Sequence, residues 1–145
     1  MNAMKAQQVM SGTHGEVWIN SQYMAECTEF KATLEFEIEE VRMAKSSFPG
    51  HKTVGAKGSG SVKLSHVSSF FVDLLADNAK KGKTTVCTIV AKLDDPDALG
   101  AERVALREVV FKKSPLLSFT SKKVTEDDID FVFSDFDMLD KVETK

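Results

Sequence analysis

Between Lys31 and Val41 the chain alternates with period two: Ala32, Leu34, Phe36 and Ile38 are apolar, and Thr33, Glu35, Glu37 and Glu39 are polar. Successive side chains of a strand point to opposite faces, so this pattern predicts a strand with one apolar face to bury and one wet, acidic face. The alternation resumes from Gly58 to Ser65, with Gly58, Gly60, Val62 and Leu64 opposed to Ser59, Ser61, Lys63 and Ser65. The two strands are expected to form one long hairpin, and glycines inside a strand mark close backbone approach or a bulge. Residues 42–57 interrupt the pattern with Lys45-Ser46-Ser47-Phe48-Pro49-Gly50 and Gly55 and are expected to form the connection. Connections beyond about 12–15 residues are uncommon in compact domains and tend to be functional. Met43, Phe48 and Val54 lie in it and need burial somewhere, which argues against an idle mobile loop.

The flanking sequence is also mainly of strand type. Gly15 to Ile19 reads as a strand, Asn20-Ser21 as a turn, and Tyr23 to Glu29 as the hairpin partner. One helix is predicted after Ser68 or Ser69, with Phe70, Phe71, Leu74, Leu75 and Asn78 at helical spacing and Gly82 as its stop. Strand-like runs follow at 84–93 and 103–112, separated by Asp94-Asp95-Pro96-Asp97-Ala98-Leu99-Gly100, with weaker ones at 116–120 and 129–133. The expected fold is a single domain over residues 1–145: an antiparallel β-barrel or sandwich with one packed α-helix, a polar arm at 1–14 and the long inter-strand loop at 42–57.

Composition narrows the function classes. The hydrophobic fraction of 42% and charged fraction of 28% are those of a globular protein able to bury a core. No apolar run approaches the roughly 20 residues of a bilayer-spanning helix, and the polar start, Met1 to Gln8, has no signal-peptide core. The net charge of −3 is uneven: residues 1–66 balance 7 basic against 7 acidic side chains, 67–124 carry 10 against 7, and 125–145 carry 2 against 8. That distribution lacks the basic excess that neutralises phosphates, so tight nucleic-acid binding is disfavoured.

Catalytic chemistry finds no support in the spacing. His14, His51 and His66 fall in an arm, a loop and a strand end, outside any HExxH, HxH or GxSxG context. Gly55-Ala56-Lys57-Gly58-Ser59-Gly60 lacks the GK[ST] ending of a phosphate loop and is followed by a strand instead of a helix N-terminus. The acidic clusters 94–97 and 126–130 do not match a calcium loop. Cys27 and Cys87, 60 positions apart, supply neither a disulfide framework nor a metal site. No catalytic residue, cofactor or metal ligand is assigned.

The ordered set of segments resembles a known family. Ser11-Gly12-Thr13-His14-Gly15-Glu16-Val17-Trp18-Ile19, the acidic alternating strand 32–41, Lys57-Gly58-Ser59-Gly60-Ser61-Val62-Lys63-Leu64 and the acidic stretch from Asp128 to Leu139 occur in the order seen in tail tube proteins of contractile phage tails. The similarity is to the branch of PBSX-type prophages and phage-tail-like bacteriocins. The resemblance implies a homo-oligomer of hexameric rings stacked into a hollow tube. It also implies a sheath around that tube, tape-measure protein or DNA in the lumen, and baseplate partners. Assembly would occur in the bacterial host's cytoplasm, with the subunit later resident in a virion tail or phage-tail-like particle. In that setting Glu35, Glu37, Glu39, Ser59, Ser61 and Lys63 are expected to face the lumen, and Met43, Phe48 and Val54 to reach an adjacent subunit. Two alternatives stay open. One is the related tube protein of type VI secretion. The other is a monomeric β-barrel module for a small ligand or single-stranded nucleic acid, which wants exposed aromatics beside a basic groove.

Overall fold

The computed structural model describes residues 15–65, 69–94, 100–117 and 119–140; the expected arm at 1–14 and His66 lie outside them. Eight strands and one helix follow in the order β1 (Gly15–Ile19), β2 (Gln22–Tyr23), β3 (Cys27–Val41), β4 (Gly50–Ser65), α1 (Phe70–Lys80), β5 (Cys87–Leu93), β6 (Glu102–Phe111), β7 (Glu126–Phe133) and β8 (Asp135–Asp140). All pairings are antiparallel and give the order β2-β1-β5-β6-β7-β4-β3, with β8 also on β6.

The expected barrel does not form: the sheet is open, with β3 at one end of the hydrogen-bonded path and β2 at the other. The reason is local. The free edge of β1 is taken by the chain's own return, where Trp18 faces Tyr23, Ile19 faces Gln22, and the Met24 amide donates to the Val17 carbonyl at 2.8 Å. Asn20 and Ser21 both have positive φ, +49° and +69°, the two-residue turn whose twist suits a tight hairpin. That return occupies the Trp18–Ile19 end of the β1 edge, and across the cleft from the rest of β1, β3 pairs only with β4 among the described residues.

The sheet bends so that its two halves share one core. Val62, Leu64, Ile129 and Phe131 from one half pack with Val17, Ile19, Ile89, Leu106 and Val109 from the other. The β6–β7 and β6–β8 pairings keep one register, from Phe111 against Phe131 through Leu106 against Phe136, so β7 and β8 are one strand interrupted at Ser134. Opposite that break β6 carries an extra residue relative to β5, with Glu108 at φ +54°, a bulge that increases local twist.

The helix closes one end of the core. Phe71 is its buried residue and meets the Phe111 ring edge-on at 5.1 Å between centroids, while Phe70, Leu74 and Leu75 are partly buried. It ends at Gly82 as expected: φ is +69°, the Lys83 amide donates to the Asn78 carbonyl at 2.8 Å, and the Gly82 amide to Ala79 at 3.2 Å, a Schellman closure. The expected cap at Ser69 has no side-chain hydrogen bond. Among the described residues of 116–120 no strand forms, and β8 is a strand where none was expected.

Candidate assembly surface

The hairpin β3–β4 runs in register from Glu29 against Lys63 to Glu37 against Gly55, and, past a bulge at Val54, from Ile38 against Thr53 to Val41 against Gly50. The connection is therefore only residues 42–49; residues 50–57, expected in the loop, belong to β4. β7 covers the other edge of β4 only from Ser65 to Gly58. Beyond that point Leu34–Val41 and Gly50–Lys57 continue as a two-stranded ribbon with no third strand among the described residues, roughly 25 Å long at the rise of a strand.

The apolar row of β3 crosses this boundary. Phe30 stacks on Phe131 with centroids 6.0 Å apart. Ala32 and Leu34 line a cleft of about 560 Å³, whose opposite wall is built by Val17, Ala91, Val104, Phe136 and Met138. The next two members of the row, Phe36 and Ile38, are each 59% exposed on the ribbon. Glycines fit the inner part: a Cβ at Gly60 would lie 2.2 Å from the Lys31 carbonyl oxygen and 2.5 Å from the Phe131 ring, and one at Gly58 would lie 2.3 Å from Phe133. These glycines face the two phenylalanines directly across the β4–β7 ladder, so their missing side chains leave room for the rings.

The opposite face is polar. Ser59, Ser61 and Lys63 lie on it, facing Thr33, Lys31 and Glu29 in register. Glu35, Glu37 and Glu39 share the face but sit farther out, against Lys57, Gly55 and Lys52. Lys57 pairs with Glu37 at 3.3 Å and Lys63 with Glu29 at 3.5 Å, while Asp130 and Asp128 of β7 flank Ser61 and Lys63. The expected acidic strip is thus one column of a mixed face in which lysines of β4 separate two acidic strands.

Met43 and Phe48 lie in the 42–49 connection and Val54 at the β4 bulge; none is buried by the subunit, and Phe48 is 82% exposed. The Ser46 hydroxyl donates to the Phe48 carbonyl at 2.9 Å and shapes this tip. A second exposed apolar group, Leu116, Leu117, Phe119 and Val124, occupies the β6–β7 connection. Sequence reading placed a weak strand there and missed its exposure, as it missed that of Phe36 and Ile38. The missing signal was the length of β3, 15 residues against 8 in β7.

A further ionic cluster joins two strands. On β6 and β8, Arg103 pairs with Asp140 at 3.2 Å, and Arg107 pairs with Asp137 and, at 4.0 Å, Asp135; the Asp137 hydrogen bond pushes the guanidinium pKa up. Burial raises the thiol pKa of both Cys27 and Cys87, which suits packing atoms better than nucleophiles. Among the described residues no cluster of three or more His, Cys, Asp or Glu could hold a metal ion, and no helix is long and apolar enough to cross a membrane.

Among the described residues the open sheet, the projecting ribbon and two separate apolar outcrops leave apolar surface exposed, with no metal cluster beside it. Residues 2–140 match the family model described as phage tail tube protein, and the chain belongs to that family. It is 36% identical to the phage-like element PBSX protein XkdM of Bacillus subtilis strain 168 over 142 residues, covering 97% of each chain. It is 33% identical to YqbM of the same strain over 144 residues, covering 98% of each. The fold is shared with a chain of the sheath–tube complex of an extracellular contractile injection system, at TM-score 0.67 and 9% identity, covering 94% of this chain and 98% of the other. It is shared also with a chain of the anti-feeding prophage tube-terminating cap, at TM-score 0.70 and 10% identity, covering 94% and 95%. The chain is a tail-tube-type structural subunit.

Proposed function

We propose that six copies of this chain close a ring, that rings stack into a hollow tube inside a contractile sheath, and that sheath contraction drives the tube through a target envelope, where its channel conducts DNA or ions. The observation that carries the reading is the apolar row of β3, which runs from Phe30, packed against the core, to Phe36 and Ile38, each left more than half exposed on the ribbon. Exposed apolar surface next to an unpaired strand edge is a liability in a monomer and an asset in a polymer. Met43, Phe48 and Val54 at the far end of the ribbon are the side chains placed to reach a neighbouring subunit.

The polar face of β3, β4 and β7 lines the lumen in this reading, presenting Glu35, Glu37, Glu39, Ser59, Ser61 and Lys63. Its interleaved lysines keep the wall hydrophilic, and its acidic excess keeps phosphates from sticking, over a range that salt limits to about 8–10 Å. Tape-measure protein or DNA would occupy the lumen, and sheath and baseplate proteins would contact the tube from outside and at its end.

Negative-stain microscopy of the purified chain, with sedimentation, tests the assembly. Stacked rings of uniform width and six-fold symmetry are expected; a strict monomer at high concentration and beside its own tail components refutes it. For the lumen, the double substitution Ser59→Lys, Ser61→Lys, on the same polar face and away from the ribbon, is expected to leave the subunit folded and to make assembled tubes retain DNA in a salt-dependent manner. Retention unchanged across a salt series would place these residues outside the channel.

A further inference from the structure

Resting on the reading that copies of this chain assemble, we infer that the surface receiving the ribbon's Phe36/Ile38 face is the β6–β7 connection of a second copy, through Leu116, Leu117 and Phe119 with their flanking lysines. Three observations lead there. The first is matched exposure: Leu116, Leu117 and Phe119 are each about 80% exposed, far beyond what a subunit interior would leave bare, and Phe36 and Ile38 are the large apolar side chains left open on the ribbon face that continues the core row.

The second is charge. The connection carries Lys112, Lys113, Lys122 and Lys123 and no acidic residue between them, while Glu35, Glu37, Glu39 and Glu40 lie on the outermost strand of the ribbon. Glu40 shares the face of Phe36 and Ile38, and among the described residues the outer edge of β3 has no strand beside it. Long lysine stems can lie on the apolar row and carry their ammonium groups round that edge to the glutamates of the other face.

The third is placement. β7 enters the ladder with Glu126 against Ser65 and leaves it with Phe133 against Gly58, so the β6–β7 connection sits at the Ser65 end of β4, and the ribbon projects from the opposite end. A contact between opposite ends of two copies is heterologous: each copy keeps one free donor end and one free acceptor end. Such a contact joins copies head to tail, closing a ring where the rotation between copies closes and propagating where it does not, instead of pairing two copies as a dimer.

The test mixes copies bearing Ile38→Cys with copies bearing Leu117→Cys, both exposed positions whose substitution leaves the core untouched, and oxidises the assembled material. Disulfide-linked pairs absent from either variant oxidised alone are expected, the native Cys27 and Cys87 being common to both. Tubes that form without such pairs overturn the inference and leave the assembly reading standing, whereas wild-type protein that forms no tubes beside its tail components removes both. Because a cysteine variant can lose assembly by itself, a charge exchange gives the second arm. Lys122→Glu with Lys123→Glu is expected to abolish tubes, as is Glu39→Lys with Glu40→Lys. Mixing the two double variants restores opposite charges at every contact only if copies alternate, so the four changes are combined in one chain, where tube formation is expected to return. Tubes from the lysine reversal alone, or no recovery in the combined chain, overturn the inference.

Discussion

The inner half of the β3–β4 hairpin, Cys27–Leu34 against Gly58–Leu64, and the outer half, Glu35–Val41 against Gly50–Lys57, have opposite surroundings. In the inner half β7 adds a third strand, Val62 and Leu64 are buried, and Phe131, fully buried, fills the space left by Gly60. In the outer half the two strands have only each other, and Phe36 and Ile38 stand in solvent. A two-stranded hairpin is at best marginally stable by itself in water. The ribbon holds its shape because its root is anchored, and its apolar face gains nothing until another surface arrives. One pattern thus serves folding at the root and, in the proposed assembly, association at the tip.

The largest effect is expected from breaking the root. Phe131→Ala removes the ring that touches Phe30, Phe111 and Phe133 and should cost about 3–5 kcal/mol, the usual loss for a buried phenylalanine. Urea unfolding of the unassembled subunit measures it, and a loss below about 1 kcal/mol would mean the inner half is not the anchor. Gly60→Ala comes next. The new methyl group meets a backbone carbonyl as well as a ring, so relief requires the strands to shift; overpacking of this kind costs about 1–3 kcal/mol. The same unfolding experiment reads it, and a neutral result would show that the two strands separate easily at this point.

On the ribbon the ordering reverses. Phe36→Ser combined with Ile38→Ser should change subunit stability by no more than about 0.5 kcal/mol, as expected of exposed positions, while abolishing tubes in the microscope. Normal tubes from that variant would show that the apolar row ends functionally at Leu34.

Much of this was legible in the sequence, for identifiable reasons. Strict alternation in 31–41 and 58–65 specified the hairpin and its two faces, because the period of a strand leaves no other assignment. Gly82 marked the helix end, because a left-handed residue is needed there. The glycines of β4 announced a close approach, which proved to be the Phe131 and Phe133 rings. Three features were not legible. Alternation tells which face is apolar and not whether the same chain covers it, so Phe36 and Ile38 read as core. Residues 50–57 lack large apolar side chains at alternate positions because no third strand packs there, so a real strand read as loop. Closure depends on which edges remain free, and the Gln22–Met24 return that blocks β1 is too short to weigh in any periodicity, so an open sheet read as a barrel.

Amide hydrogen exchange, compared between the free subunit and the assembled form, tests the central claim that the ribbon is an interface completed by another copy. In the free subunit the amides of 60–64 and 129–132 should be protected to the level of global unfolding, and those of 36–41 and 51–56 should exchange far faster, since local stability follows buried contacts. Assembly should raise the protection of the ribbon to that of the root while leaving the root unchanged. A ribbon already protected in the monomer, or one that exchanges equally fast in both states, would contradict the account.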